Sequence, residues 1–404
     1  MRAWSKDGLD RLDELVARHV ATDGVPGAAW LVARDGEVHV GTAGTVDGSE
    51  PVRRDTIFRI ASMTKPVTVA AAMALIEVGA LSLRDPIARW LPEFAAPRVL
   101  ADPNGPLDKT VPAQRPITVE DLMTHRCGLA YQFSVPGPLS RAYARLPLRQ
   151  DQDRWLAELA ELPLVHQPAE QVTYSHATDV LGIVLSRIEG KPLPDILTER
   201  IFAPLGMTDT GFCLTTESRR RAATMYQLGA DGALQHGVMG PPPIALPPFC
   251  QGGSGLWSTA DDYLRFVRML LNGGSVDGVR VLSEESVRSM RTDRLTDDQK
   301  RVPFLGMPYW VGRGFGLNLS VVTDPARSAS LYGPGGAGSF TWPGAFGTWW
   351  QADPVADLIL LYLIQNAPDS SPDAAAVAGN TSLAKLRTAQ PKFVRRTYQA
   401  LGLQ

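Results

Sequence analysis

Cysteine is scarce in this 404-residue chain: Cys127, Cys213 and Cys250 are widely spaced, odd in number and form no Cys-x-x-Cys pair. That excludes a disulfide framework and a cysteine-based zinc centre, and leaves three reduced thiols as the expectation. The six histidines show no His-x-x-x-His or His-Glu pairing, so neither a metal nor any other cofactor is expected. Charge of one sign is lacking as well. Lys+Arg 40 against Asp+Glu 42 gives a net charge of −2 with no long run, so nothing favours nucleic acid or an anionic membrane as partner. The longest apolar stretch, Val67 to Leu81, is interrupted by Glu77 and is shorter than the roughly 20 residues that cross a bilayer. The opening MRAWSKDGLDRLDELVARHV has charges throughout and no apolar signal-peptide core, so a cytoplasmic location is expected.

What is present is enough apolar material, 44% of the residues, for a sizeable core in one two-lobed unit or two domains. Asp10 to Val20 has helical apolar spacing. Two strand-like runs, Gly27–Ala33 and Val38–Gly44, flank Arg34-Asp35-Gly36-Glu37, and Asp-Gly supplies the positive φ values of a tight hairpin turn. A third extended piece, Thr56–Ile60, leads through Ala61-Ser62-Met63-Thr64-Lys65-Pro66 into an Ala-rich helix. From Pro86 to about Gly255 the chain is proline-rich with short helical segments. Ser258–Asn272 reads as an amphipathic helix capped by Ser258 or Thr259, Phe315–Ile364 as strands with glycine turns, and residues 385–401 as helix. The expected fold is α+β: an antiparallel β-sheet flanked by helices, with residues 1–85 and 255–404 in the sheet lobe. Residues 86–254 form an inserted, mainly helical lobe, and the site lies in the cleft between.

Ser62-x-x-Lys65 is the sharpest chemical feature. With Ser62 as the helix cap, Lys65 falls three residues on, on the same turn, and can accept the serine's proton, while the helix N-terminus favours developing negative charge. Chance alone gives about 0.4 such motifs in a chain of this composition, and a second stands at Ser382-Leu383-Ala384-Lys385. Context separates them, because only Ser62 lies between a strand and an apolar helix. Tyr174-Ser175-His176 precedes the helical stretch Thr178–Glu189 and offers a phenol for proton transfer beside Lys65. Gly338 to Thr348 is a glycine-rich strand edge able to bring a backbone N–H to a substrate carbonyl.

These segments occur in order with His125-Arg126-Cys127-Gly128-Leu129, Asp179-Val180-Leu181-Gly182, Leu205-Gly206-Met207, Gly252-Gly253-Ser254-Gly255-Leu256 and Trp342-Pro343-Gly344. Together they resemble the serine β-lactamase-related family of class C β-lactamases, D-alanyl-D-alanine carboxypeptidases, family VIII carboxylesterases and related acyltransferases, over roughly residues 10–365. The resemblance implies that Ser62 is acylated, that Lys65 is its base partner and that Tyr174 transfers the proton. It also implies an oxyanion hole from the N–H groups of Ser62 and Ala345, with Trp342, Gly344 and His176 toward the substrate. Two departures matter. The β-lactamases' Tyr-x-Asn reads Tyr174-Ser175-His176 here, and their Lys-Thr-Gly reads Trp342-Pro343-Gly344, which removes the cation that pairs a β-lactam carboxylate. The substitution is similar to family VIII esterases, so the expected partner is a small-molecule ester. An acyltransferase, a weak β-lactamase and a non-catalytic penicillin-binding-type sensor are the alternatives.

Other motifs carry less. A Gly-x-Ser-x-Gly nucleophile elbow is absent. Gly333 to Gly338 matches Gly-x-Gly-x-x-Gly in letters, but no helix start follows it. His125 reads as a loop anchor, and among Phe133, Tyr143, Trp155, Phe249 and Trp257 any could line an acyl pocket, though core is the commoner role.

Overall fold

A computed structural model of the chain describes residues 4–22, 24–146, 150–228, 234–237, 239–367 and 381–403. An N-terminal helix α1 (Lys6–Thr22) leads into the hairpin β1 (Gly27–Arg34) and β2 (Glu37–Gly44), whose turn places Asp35 at φ +51° and Gly36 at φ +83°, as the Asp-Gly pair requires. After Gly44 the sheet is resumed only at Arg313, by β3 (Arg313–Phe315), β4 (Ser320–Val322), β5 (Phe340–Thr341), β6 (Trp349–Asp353) and β7 (Leu358–Ile364). The order is β3-β4-β5-β6-β7-β1-β2, antiparallel throughout, and β7 lies inside the sheet with all seven residues buried, as its uninterrupted apolar sequence predicts.

Period-two alternation sends β1 to two cores. Ala28, Trp30 and Val32 meet α1 and the C-terminal helix, which runs Thr381–Ala400, through Leu12, Val16, Phe393, Val394 and Tyr398. Ala29, Leu31 and Ala33 face the larger core, which continues without a break into residues 86–254. Its centre is α2 (Thr64–Glu77), apolar on every side, with eleven of its fourteen residues buried. Such a helix belongs in the middle of a protein, which is the reading Val67–Leu81 suggested. Within 86–254 the helices include α3 (Ala177–Glu189), and beyond it α4 (Ala260–Leu271) starts at Thr259, whose hydroxyl accepts the Asp262 N–H. The stretch from Ala101 to Arg115 is not a plain loop, since Arg98–Leu100 pairs with Thr110–Pro112. The second Ser-x-x-Lys lies in the C-terminal helix, and its side chains fall outside the described residues.

Leu361 sits fully buried in β7 on the larger core. Leu361→Ala is expected to destabilise the protein by about 3 kcal/mol, measured as a lower urea midpoint at unchanged slope.

Candidate active site

Phe58–Arg59 pairs with Trp257–Ser258, and the chain leaves that strand through Ala61, whose φ of +45° lies in the left-handed region. For a residue with a Cβ this costs about 1–2 kcal/mol, so the surroundings must hold it. They do so at Ile60, whose N–H donates to the Leu256 carbonyl at 3.0 Å and whose carbonyl accepts the Thr348 hydroxyl at 3.2 Å. Ser62 follows in a single 3₁₀ turn, Ala61–Met63, that runs directly into α2. The expectation that Ser62 caps the helix is corrected here. The N-cap position is Met63, without a side-chain bond, because the 3₁₀ turn already employs the first N–H groups: Met63 donates to Ile60, and Thr64 to Ala61 and Ser62. The Ser62 Oγ is thereby left to Lys65.

Lys65 is fully buried and makes three bonds. Its Nζ lies 2.8 Å from the Gly253 carbonyl, 3.1 Å from the Tyr131 hydroxyl and 3.3 Å from Ser62 Oγ. Three oxygens thus surround Nζ, one for each hydrogen-bonding direction of the amine. Tyr174 is also at the site, with its ring centroid 4.7 Å from Nζ, but its hydroxyl accepts the Trp342 indole N–H at 3.3 Å. The phenol bonded to Lys65 is therefore Tyr131, which sequence reasoning missed although it stands two residues beyond the His125–Leu129 motif. Burial, with Asp179 and Tyr174 nearby, pushes the Tyr131 hydroxyl well above the usual phenol range, so it remains an O–H.

His176 reaches the aromatic residues around Trp342 through Tyr131, against which its ring packs edge-on at 4.3 Å, while its Nδ1 lies 2.7 Å from Asp179 Oδ2 and its ring packs edge-on to Trp155 at 5.3 Å. His125 anchors a loop as expected, with Nδ1 3.1 Å from the Ser175 hydroxyl and its ring edge-on to Tyr174 at 4.9 Å. The turn from Trp342 to Thr348 is closed by the Gly344 N–H on the Thr348 carbonyl at 2.8 Å, and it is tied to the residues just ahead of Ser62 through the Thr348–Ile60 bond. Ala345 is exposed in that turn, and among the described residues its N–H has no hydrogen-bond acceptor.

Trp342, only 2% exposed, belongs to an aromatic wall with Tyr131, Tyr174, Phe304, Trp310 and Phe315. Phe133, 62% exposed, stacks on Tyr131 at 5.1 Å and extends the wall to the surface. Tyr143, Trp155 and Phe249 are in the main core, and Trp257 in a small cluster with Ile57 and Leu214. Phe304, Trp310 and Phe315 carried no signal in the sequence, being spaced irregularly along one loop and a short strand. Among the described residues no group of three His, Cys, Asp or Glu side chains could hold a metal, and no helix is long and apolar enough to cross a membrane.

The Beta-lactamase family model matches residues 12–383. This chain belongs to the beta-lactamase family. Protein Rv1367c of Mycobacterium tuberculosis is 70% identical to this family member over 359 residues, 89% of this chain and 90% of its own length. Esterase EstB of Burkholderia gladioli is 33% identical over 384 residues, 88% of this chain and 90% of its own. Among solved structures, EstCE1, described as a hydrolase with promiscuous acyltransferase activity, superposes with a TM-score of 0.74 at 28% identity, covering 95% of this chain and 99% of that one. These likenesses support the sequence-based expectation of family and of an α+β fold with an antiparallel sheet.

Burial, and next the charge of Lys65, holds the His125 imidazole well below its usual 6.5. Below about pH 6.5 the unfolded chain takes up a proton that the native state refuses, so stability is present above that pH and declines as the pH falls, by at most about 1.4 kcal/mol per pH unit. Urea midpoints from pH 8 to 5.5 should fall more steeply for the wild type than for His125→Gln.

Proposed function

We propose that this beta-lactamase family member hydrolyses carboxylic esters through an acyl-enzyme on Ser62. The observation that carries the reading is the fully buried Lys65 amine, 3.3 Å from Ser62 Oγ with its other bonds going to Tyr131 and Gly253. In the forward step Ser62 Oγ attacks the ester carbonyl and its proton passes to Lys65 Nζ. The tetrahedral oxyanion is held by the N–H groups of Ser62 and Ala345, in keeping with the unengaged Ala345 N–H and the tie between its turn and Ile60. Collapse breaks the ester C–O bond, and the departing alkoxide takes a proton from the Tyr174 phenol, which Lys65 then replenishes. Water attacks the acyl carbonyl as its proton passes to Lys65, and collapse breaks the Ser62 Oγ–acyl bond, with Oγ taking that proton back as the acid leaves.

The substrate follows from what lines the approach. Where a lysine would pair a β-lactam carboxylate stands the indole of Trp342, within a wall of aromatic rings. Such a surface suits a neutral, apolar acyl or alkyl group and gives an anionic substrate no counter-ion. Esterase function is supported by the likeness to EstB. A second reading, transfer of the acyl group to an alcohol, is favoured by the likeness to EstCE1, whose description names both reactions.

On mixing with p-nitrophenyl butyrate, the wild type should release p-nitrophenol rapidly and gain the butyryl mass on Ser62, with nitrocefin turned over slowly. Ser62→Ala should lose both the adduct and the turnover, and ester turnover at the wild-type level in that variant would end the assignment. Tyr131→Phe removes one of the three oxygens around Lys65 and should slow acylation about 10- to 100-fold, read from the pre-steady-state burst.

A further inference from the structure

The amine of Lys65 faces two hydroxyls and one carbonyl, and the carbonyl differs from the hydroxyls in kind. Ser62 and Tyr131 can each donate or accept, whereas the Gly253 oxygen can only accept. Whether Lys65 carries two protons or three, one N–H must point at Gly253, and that bond sets the rotation of the amine about its last carbon. The two remaining positions, one N–H and one lone pair in the neutral amine, are then directed at Ser62 and Tyr131. The direction in which the Gly253 carbonyl points therefore decides whether Lys65 can take the serine's proton.

That carbonyl belongs to the Gly253–Ser254 peptide, whose Ser254 N–H donates to the Gln251 carbonyl at 3.3 Å, and the peptide leading into it is held from two helices. The peptide joining Gly252 to Gly253 is gripped at both ends: the Thr68 hydroxyl of α2 donates to the Gly252 carbonyl at 2.7 Å, and the Gly253 N–H donates to Asp179 Oδ1 of α3 at 2.7 Å. Asp179, 1% exposed, has its second oxygen 2.7 Å from His176 Nδ1, so the carboxylate cannot rotate away without breaking both bonds. The fit leaves no slack. A Cβ on Gly253 would stand 2.7 Å from Asp179 Oδ1 and 3.2 Å from the Tyr131 hydroxyl oxygen.

We propose that Asp179, braced by His176, is a positioning residue that locks the Gly252–Gly253 peptide so that the Gly253 carbonyl aims Lys65 at Ser62. This rests on the acyl-enzyme reading. It assigns His176 to the support of the base, and it accounts for a buried carboxylate that the reaction itself does not use.

The test compares Asp179→Ala, Asp179→Asn and Thr68→Val in the full chain. It reads the rate at which a fluorophosphonate adds to Ser62, by intact-protein mass, together with kcat and KM for p-nitrophenyl butyrate. Asp179→Ala should slow labelling and kcat on the order of 100-fold with KM changed by less than about 3-fold, as for a misaimed base with an intact binding surface. Asp179→Asn, whose Oδ1 still accepts the Gly253 N–H and whose amide can face the other His176 tautomer, should stay within about 5-fold of the wild type, and Thr68→Val should lose about 10-fold. Wild-type labelling by folded Asp179→Ala overturns the proposal, and so does Asp179→Asn as slow as Asp179→Ala, which would make the charge and not the held peptide the requirement. Should Asp179→Ala fail to fold, Thr68→Val decides, and an unchanged rate there overturns the proposal. If Ser62 of the wild type takes no label at all, the acyl-enzyme reading itself is lost, a result separate from any ranking of the variants.

Discussion

A lysine amine in a fully buried position is the constraint around which this structure is arranged. Taking such a group out of water costs several kcal/mol unless it is hydrogen-bonded, and here each of the amine's three hydrogen-bonding directions ends on an oxygen. Those oxygens come from three parts of the chain far apart in sequence: the 3₁₀ turn before α2, the loop after the His125–Leu129 motif, and the glycine pair ahead of α4. Meeting Lys65 therefore fixes these three segments relative to one another. The apolar character of α2 on every side belongs to the same arrangement, since only a central helix has neighbours all round to supply the partners.

The sheet supplies the opposite wall. Its β5–β6 turn is tied to Ile60, two residues ahead of Ser62, so Ser62 and the turn whose Ala345 N–H has no acceptor among the described residues are held together. Between them the surface is aromatic. Trp342 both closes that surface and donates its indole N–H to the Tyr174 hydroxyl. Trp342 thus brings an uncharged ring to this surface and a hydrogen bond to the phenol beside Lys65.

The hairpin was legible because Asp35-Gly36 is one of the few pairs that accept two successive positive φ values, and β7 because seven consecutive apolar residues suit a strand covered on both faces. That Ser62, Lys65 and Tyr174 lie together was expected from spacing and order along the chain, and Lys65 Nζ does stand 3.3 Å from Ser62 Oγ and 4.7 Å from the Tyr174 ring centroid. The capping role expected of Ser62 was not realised, since a left-handed Ala61 and a 3₁₀ turn have no periodic signature. Tyr131 escaped notice because a tyrosine in a loop carries no signal until its hydroxyl is found on an amine, and Phe304, Trp310 and Phe315 because irregular spacing gives rings no common face until the loop is folded.

The sequence by itself determined the local chemistry and the local geometry: which residues could be nucleophile and base, where helices and strands run, and the family to which the order of motifs belongs. These depend on neighbours three or four residues apart, which the chain states directly. Only the tertiary structure decided that Lys65 bonds Tyr131 in place of the Tyr174 hydroxyl, that His176 bonds Asp179, and that a glycine carbonyl some 190 residues from Lys65 meets its amine. The reason is that a buried donor must find an acceptor wherever the packed chain brings one, and no pattern within a segment records which distant segment that will be.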